Sequence, residues 1–505
     1  MQTGYILLAT IAVPLLAAVA LVLVPSRYPN VVRMIAVGTG FVLFGLSLYA
    51  FFAYQVSSGK DFQFELQWVW IENVGFLGDN GITLHLGIDG IGAPMVLLTG
   101  IVTFAGTLIS NKIEYRNKDY FILLMLLVAG VFGVFCSLDM FFWFFFYELA
   151  VLPMYLLIGV WGSSSVFPTF SRTKEYSALK LTLVLVGASV PIFIGIFATF
   201  VESGLGTFDL PTLWAYAEQG GFDPNFQKII FPLFMIGCGV LAGLWPFHTW
   251  SPDGHVAAPT AVSMLHAGVL MKLGAFGIIR LGMQLMPEGA EFWMPALITL
   301  GTINVIYGAI SAMAQTDFKY MVGYSSVSHM GYVLMGLATL NPIGVNGAVL
   351  QMFSHGVMTA LMFAMVGVLY DQAHTREMSL FGGLSQRMPR FAAFFAVAGL
   401  ASLGLPGLSG FVAEFNVFVG TFQTYPALGA LGVLGAAITA VYILRMFAVA
   451  FFGPANPRWD GLKDMSRFEL AGGALLIAFI LLMGVFPSPF VDRIAETVLR
   501  LPSVS

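Results

Sequence analysis

The chain has 505 residues, of which 58% are apolar and only 10% are charged, and its formal net charge is −4. Soluble domains carry about 25% charged residues, so a soluble globule of this composition would expose large apolar patches and aggregate. The composition therefore excludes soluble, disordered, collagen-like and disulfide-framework proteins and leaves a polytopic α-helical membrane protein. The small net charge argues against nucleic acid as a partner.

Apolar runs of about 20 residues, separated by polar or Pro/Gly breaks, predict fourteen membrane-spanning helices. In chain order, spans 1 to 14 lie near residues 4–24, 31–54, 88–110, 120–136, 138–160, 176–200, 229–250, 257–281, 293–313, 320–340, 346–370, 391–420, 425–452 and 468–487. The long polar connections are 55–87, 201–228 and 371–390, and none is large enough for a soluble domain. We therefore expect a single membrane domain over residues 1–505.

The distribution of Lys and Arg predicts the orientation. With the N-terminus outside, the inward loops hold fourteen of the 22 basic residues and the outward segments hold five. Basic residues concentrate in cytoplasmic loops, so this asymmetry predicts an even number of spans with both termini on the periplasmic side of a bacterial inner membrane. The first apolar run lacks a basic n-region and a cleavage site, so we expect a retained helix rather than a signal peptide.

Two spans are predicted to be broken. Residues 244–255 carry Pro246 and Pro252 at the end of span 7, and the glycine-rich stretch 404–410 interrupts span 12. Broken helices in corresponding positions of two halves are typical of transporters with internal repeats. We therefore expect two five-helix repeats, over residues 111–285 and 286–455, between three N-terminal helices (1–110) and a C-terminal segment (456–505).

Ionisable residues inside these apolar runs are the candidate functional groups, because each costs about 2.5–3.5 kcal/mol at the bilayer centre on insertion scales. Glu148 lies ten residues into span 5, close to the midplane. Lys180 lies one turn into span 6, where snorkelling to the inner interface is the plain alternative. Lys272 lies deep in span 8, where burial suits a lysine to proton exchange.

Two histidines and a second glutamate extend this set. His329 and His355 each lie about 14 Å deep, nine residues into spans 10 and 11 from opposite sides, so a relay is expected rather than two packed core histidines. Glu414 follows the break in span 12, and His266 in span 8 either joins the row or merely packs. Hydration and pairing at one level would make a polar axis that supports proton hopping.

Metal and redox chemistry are not expected in this chain. Cys136 and Cys238 are far apart in apolar runs, and the sequence has no CxxC or Cys/His cluster that would hold zinc or an iron–sulfur cluster. His248, Asp253 and His255 superficially suggest a metal site. Their loose spacing favours hydrogen bonding within a loop instead.

Four stretches closely resemble the antiporter-like membrane subunits of respiratory complex I, the proton-pumping NADH:quinone oxidoreductase. They are SLDMFFWFFFYEL (137–149) with PMYLLIG (153–159), PFHTWSPDGHVAAPT (246–260), QTDFKYMVGYSSVSHMG (315–331) and GLPGLSGFVAE (404–414). Within that family the chain resembles the M-type (ND4-type) subunits, because Glu414 stands where the L- and N-type subunits have lysine. The D-type subunits of multisubunit sodium/proton antiporters are similar to these proteins and form part of the same superfamily.

The resemblance implies a fold and roles for the residues. It implies fourteen helices with two inverted five-helix repeats, Glu148 as the carboxylate that modulates a lysine, and Lys272 as the central lysine. It further implies that His329 and His355 form the relay, with Glu414 as the outlet acid. Flavin, iron–sulfur clusters and quinone would reside in partner subunits, with L- and N-type subunits and lipids as neighbours.

One departure concerns the lysine that the family places on span 7. Here Leu241 stands in its place, and Gly243 stands where the family has proline. An ion pair between Glu148 and that lysine cannot form. We expect Lys180 or His266 to substitute for it. The other possibility is a divergent member with altered or absent pumping.

Other functions stay open at this point. A subunit of a multisubunit cation/proton antiporter or of a membrane-bound hydrogenase would carry the same motifs. A membrane acyl- or glycosyltransferase would use His329 or His355 as base, but the loops offer no charged substrate site. A structural spacer in the membrane arm is the fourth possibility, and the absent lysine favours it.

Overall fold

A computed structural model describes residues 4–73, 75, 77–78, 81–166 and 171–504. The long apolar runs form helices because every backbone N–H and C=O inside a bilayer must find a partner within its own segment. The N-terminal part has three helices and one antiparallel hairpin: α1 (Tyr5–Leu23), α2 (Pro29–Ala53), β1 (Gln63–Ile71), β2 (Ile82–Ile88) and α3 (Gly92–Ile109). The hairpin pairs Leu66 with Leu86 and Trp68 with Leu84.

The next part contains the first broken span. Its elements are α4 (Asn117–Cys136), α5 (Met140–Trp161), the short strands β3 (Ser165–Val166) and β4 (Ser171–Arg172), α6 (Lys174–Ser203), α7 (Leu210–Glu218), α8 (Pro224–Ala242), α9 (Trp250–Ala257), α10 (Thr260–Leu265) and α11 (Met271–Gly277). Two π-helical segments, His266–Leu270 and Ile278–Met283, lie directly after α10 and α11. Span 8 is thus one continuous rod with two π segments, a feature that is frequent at functional sites.

The second half contains the second broken span. Its helices are α12 (Pro287–Met313), α13 (Phe318–Ala338), α14 (Pro342–Ala373), α15 (Leu384–Arg387), α16 (Pro389–Ser402), α17 (Ser409–Thr424), α18 (Pro426–Met446), α19 (Arg467–Val485) and α20 (Ser488–Val498). The centre of the bundle consists of α3, α10–α11, α13 and α14, which are almost wholly buried. The peripheral helices α1, α2, α6 and α18 expose apolar side chains.

Both predicted breaks are present. The first follows α8 at Gly243, whose φ of +84° is a left-handed conformation that glycine adopts without strain. Asn304 of α12 supports this break, because its side chain accepts the Trp245 N–H at 2.5 Å and donates to the Gly243 carbonyl at 2.7 Å. The second break lies between α16 and α17, with Gly404 at φ +74°.

The predicted fold class, a polytopic α-helical membrane protein, is confirmed, although the polar connections carry two short hairpins. Among the described residues, twelve helices are long and apolar enough to cross a membrane. The helix over predicted span 10, α13, falls outside this set because it carries Lys319, three serines and His329. Predicted span 12 falls outside it because α16 and α17 are separate short helices. The count of fourteen and the two-repeat division stay predictions.

Candidate functional site

Lys272 lies at the centre of the bundle. It sits on α11, directly after the first π segment, and its side chain is fully buried. Its Nζ donates to the carbonyl of Ala267 and lies 2.7 Å from Nδ1 of His355 on α14. An amine and an imidazole nitrogen at this distance share one proton, because one of the two atoms must accept.

His355 connects this lysine to a second histidine. The His355 and His329 rings are stacked, with centroids 5.5 Å apart and planes inclined by 29°. Both side chains are buried, and Nε2 of His355 has no hydrogen-bond partner among the described residues. Buried polar atoms in native proteins are nearly always hydrogen-bonded to protein or ordered water, so this nitrogen requires a water molecule beside it.

His329 is in turn linked to Glu414. Nδ1 of His329 lies 3.3 Å from Oε1 of Glu414 and 3.2 Å from Nε2 of Gln351, while its Nε2 lies 2.9 Å from the Ser402 hydroxyl. A carboxylate facing an unprotonated ring nitrogen would be repelled. A proton therefore resides on either Nδ1 of His329 or Glu414. Oε1 of Glu414 makes no hydrogen bond among the described residues, so the two groups face each other at ion-pair distance.

The broken helix places Glu414 at this position. Glu414 lies in the second turn of α17, and the chain before that helix carries Gly404. A β-carbon at Gly404 would come within 2.7 Å of Oε2 of Glu414, so the glycine makes room for the carboxylate. The Ser354 hydroxyl donates to Ser409 at 2.8 Å and ties α14 to the start of α17.

His266 lies beside His255, a histidine whose sequence position predicts a loop. The rings of His266 and His255 are 4.0 Å apart, and both are fully buried. His266 also stacks on Trp250 at 5.2 Å. His266 lies six residues before Lys272 on span 8, so this histidine pair lies next to the lysine end of the row.

Lys180 forms an ion pair with Asp253, a residue that the sequence does not predict as a functional group. Its Nζ lies 2.8 Å from Oδ2 of Asp253 on α9. Asp253 follows a proline turn, and that context predicts a loop residue. The signal that would have found it is the helical position of Lys180, whose buried ammonium needs a carboxylate partner.

Glu148 lies apart from these groups. Its side chain is half-buried and lies near Ser189 on α6, whose hydroxyl donates to the Val186 carbonyl at 2.8 Å. Ser189 lies nine residues beyond Lys180 on the same helix, about 13 Å along its axis. The structure thus does not bring Lys180 to Glu148.

The position that carries lysine in the resembling family is apolar here. Leu241 of α8 is fully buried. A β-carbon at Gly274 of α11 would come within 2.3 Å of the Cys238 carbonyl and 2.6 Å of the Ala242 nitrogen, so α8 and α11 are in direct backbone contact at this level.

A second buried ion pair lies at the C-terminal end of span 8. Nη2 of Arg280 lies 2.6 Å from Oδ1 of Asp89, and both side chains are almost completely buried. The sequence prediction includes neither residue of this pair among the candidate functional groups. The chain remains helical there because the second π segment, Ile278–Met283, extends the span past it.

Two carboxyl groups just outside the spanning helices have shifted pKa values. Burial raises the pKa of Asp139, at the start of α5, from 3.8 to about 6, although it accepts hydrogen bonds from Thr83, Phe141 and Phe142. Burial acts in the same direction on Asp209. Hydrogen bonds from His85 and Thr212 outweigh it there and lower the pKa of Asp209.

The fold and this row of groups define a class: a polytopic membrane protein with a row of buried titratable side chains, from Lys272 through His355 and His329 to Glu414. Residues 137–439 match the family described as NADH:quinone oxidoreductase/Mrp antiporter, TM. The chain belongs to this family.

Relatives and solved structures agree with this assignment. The chain is 36% identical to NAD(P)H-quinone oxidoreductase chain 4-3 of Nostoc sp. over 88% of its own length and 78% of the relative's. It superposes on a chain of respiratory complex I from Thermus thermophilus with a TM-score of 0.86 at 27% identity, covering 98% of this chain and 99% of that one. A chain of the Mrp complex from Dietzia sp. has the same fold, with a TM-score of 0.85 at 19% identity and coverage of 99% and 98%.

Proposed function

We propose that this chain is a proton-translocating, M-type subunit of the membrane arm of complex I. The observation that carries the proposal is the contact series from Lys272 to Glu414, four buried titratable side chains on α11, α14, α13 and α17. Buried ionisable residues in a membrane are costly and mark ion pathways. A spacer would have no use for them.

The proton would move along this series one contact at a time. The ammonium of Lys272 gives its proton to Nδ1 of His355 and becomes a neutral amine. The His355 imidazolium releases a proton from Nε2, through the water that this atom requires, to His329. Nδ1 of His329 then passes it to Oε1 of Glu414, whose carboxyl group holds it for release.

Glu148 and Glu414 each suggest a neighbouring subunit in an assembly. Glu148 is half-buried on the α5–α6 surface, and a mid-membrane carboxylate in contact with lipid would be expensive. A neighbouring L- or N-type subunit that covers this surface removes the cost. Glu414 would deliver protons towards the neighbour at the opposite end.

The remaining features follow from membership of such an assembly. Electron transfer would take place in partner subunits that hold flavin, iron–sulfur clusters and quinone, and this chain would take part in no redox step itself. The charge asymmetry of the loops supports an inner-membrane location with both termini on the periplasmic side.

The test replaces Lys272 in the native assembly. Lys272→Met removes the titratable group and approximately keeps the volume, so the assembly should form and reduce quinone while proton translocation falls sharply. Inverted membrane vesicles would report protons moved per quinone reduced. The matched control is Lys60→Met, in the exposed connection after α2. Normal pumping by assembled Lys272→Met would contradict the proposal.

Purifying the assembly would decide between complex I and a cation/proton antiporter. Co-purifying flavin and iron–sulfur subunits support complex I. A set of membrane proteins without redox centres supports the antiporter, in which Lys272→Met should abolish sodium-for-proton exchange instead.

A further inference from the structure

The short helix α9 places an aspartate near α6 and a histidine in the interior of the bundle. It has only eight residues and is bounded by the first helix break on one side and by Pro259 on the other. Asp253 lies on the side that faces α6. His255, two residues later, contacts His266 in the interior. A movement of α9 therefore affects both groups together.

Asp253 lies between the aqueous edge and the interior. Its carboxylate lies 2.8 Å from Nζ of Lys180 and 3.8 Å from Nε of Arg172, and it accepts the Tyr320 hydroxyl at 3.3 Å. The exposed fraction of the side chain falls from 37% for Arg172 to 21% for Lys180 and 10% for Asp253. The carboxylate thus has three competing donors.

Behind this ion pair lie three histidines with unsatisfied nitrogens. Neither ring nitrogen of His248 or His266, and not Nδ1 of His255, has a hydrogen-bond partner among the described residues. Nε2 of His255 lies 3.0 Å from the Ser251 hydroxyl. Since buried polar atoms are almost always hydrogen-bonded, these rings require water, and that water must come from an aqueous surface.

Gly254, between Asp253 and His255, allows close contact between the side of α9 that carries the ion pair and the side that carries the histidine pair. A β-carbon at Gly254 would come within 3.1 Å of Cε1 of His266 and 2.7 Å of Leu181, the neighbour of Lys180. The glycine lets α9 lie directly between α6 and the histidine ring. Asp253 of the ion pair and His255 of the histidine pair are only two residues apart on one short helix.

We propose that the Lys180–Asp253 ion pair is the gate through which protons from the inner aqueous phase reach the row that begins at Lys272; this rests on the proposed function. While Lys180 holds Asp253, α9 seals the histidine pair from the inner surface. When Asp253 exchanges Lys180 for Arg172, the seal opens and water reaches His255 and His266. Lys180 and Asp253 act through the position of α9 and are positioning residues.

This assignment differs from the role that the family resemblance predicts for a lysine partner of Glu148. Lys180 is about 13 Å along α6 from the level of Glu148, and its contact is on α9. The gate therefore controls uptake from the inner side, not the central lysine directly.

The test removes both charges together, because one buried charge left alone would destabilise the fold. The variant is Lys180→Met with Asp253→Asn in the full native assembly. We expect the vesicles to become leaky to an imposed pH gradient without turnover, and the protons moved per quinone reduced to fall to half or less. The control is Arg116→Gln with Asp119→Asn, which removes an exposed pair with the same 2.8 Å separation.

Two further variants make each outcome decisive. Adding Lys272→Met to the neutral pair should stop the leak, since the leaking proton must pass Lys272. The reversed pair, Lys180→Glu with Asp253→Lys, should restore tight vesicles. The gate is refuted by wild-type leak and ratio in the neutral pair, or by a leak that survives Lys272→Met. It is also refuted if neither the neutral nor the reversed pair assembles, because the ion pair is then a folding element. Failure of the proposed function would show separately, as normal pumping by Lys272→Met alone.

Discussion

Breaking the buried Asp89–Arg280 pair should destabilise this protein more than any surface substitution. In Asp89→Ala the Arg280 guanidinium stays buried without its carboxylate, which costs about 3–5 kcal/mol. Arg280 keeps a hydrogen bond to Gln284 at 3.1 Å and lies over the Phe276 ring at 4.8 Å, which places the loss near the lower end. The free α3 N–H groups of Ile91 and Gly92, now capped by Asp89, add about 1 kcal/mol.

Unfolding of the purified chain in mixed micelles, followed by tryptophan fluorescence, would measure this change. A loss of this size lowers the folding equilibrium constant by a factor between about 10² and 10⁴. Asp89→Asn with Arg280→Met removes both charges and keeps a capping oxygen, so it should stay within about 1 kcal/mol of the wild type. Asp61→Asn, which breaks an exposed pair with Arg500, should cost about 0–1 kcal/mol. Equal losses for Asp89→Ala and Asp61→Asn would refute the reasoning.

Two other substitutions test a buried carboxyl group at the start of α5 and a close contact between α14 and α17. Since burial raises the pKa of folded Asp139 from 3.8 to about 6, its contribution to stability is greatest below about pH 4 and is lost as the pH rises through 6. Asp139→Asn should flatten that part of a stability-against-pH curve, and an unchanged slope would contradict this. A β-carbon at Gly347 would lie 2.6 Å from the backbone nitrogen of Val417 on α17. Gly347→Ala should therefore push away the helix that carries Glu414 and lower proton translocation in vesicles. Gly187→Ala, where nothing lies within 4 Å, should leave it unchanged, and equal effects of the two would exclude packing as the cause.

Counting residues along the helices predicts that His329 and His355 lie at a matching depth of about 14 Å. Lys272, His329, His355 and Glu414 lie far from each other in the sequence, yet all fall deep inside apolar runs. The helical rise of 1.5 Å per residue turns position in a run into depth, and depth at one level is a necessary condition for contact. Their roles in proton transfer stay predictions.

Depth did not reveal which partner each charge has. Lys180 was expected either to snorkel or to replace the missing partner of Glu148, and it pairs with Asp253 instead. The direction in which a side chain points turns by about 100° per residue around a helix. A short helix between two breaks, such as α9, can be oriented in several ways that the sequence does not distinguish.

The π segments likewise prevent the sequence from showing which partners the residues of span 8 have. Each one widens a turn and shifts the direction of every residue after it. Arg280 falls near the end of predicted span 8, and its contact with Asp89 is made from within the π segment itself.

The amino-acid sequence alone determined that this protein is a helical membrane protein and where its two helix breaks lie. These follow from composition and from one-dimensional spacing, since a bilayer admits few backbone structures. Tertiary structure decided which groups meet. Contact between Lys272 and His355, or between Lys180 and Asp253, depends on how helices distant in sequence rotate and pack, and that packing is a property of the whole bundle.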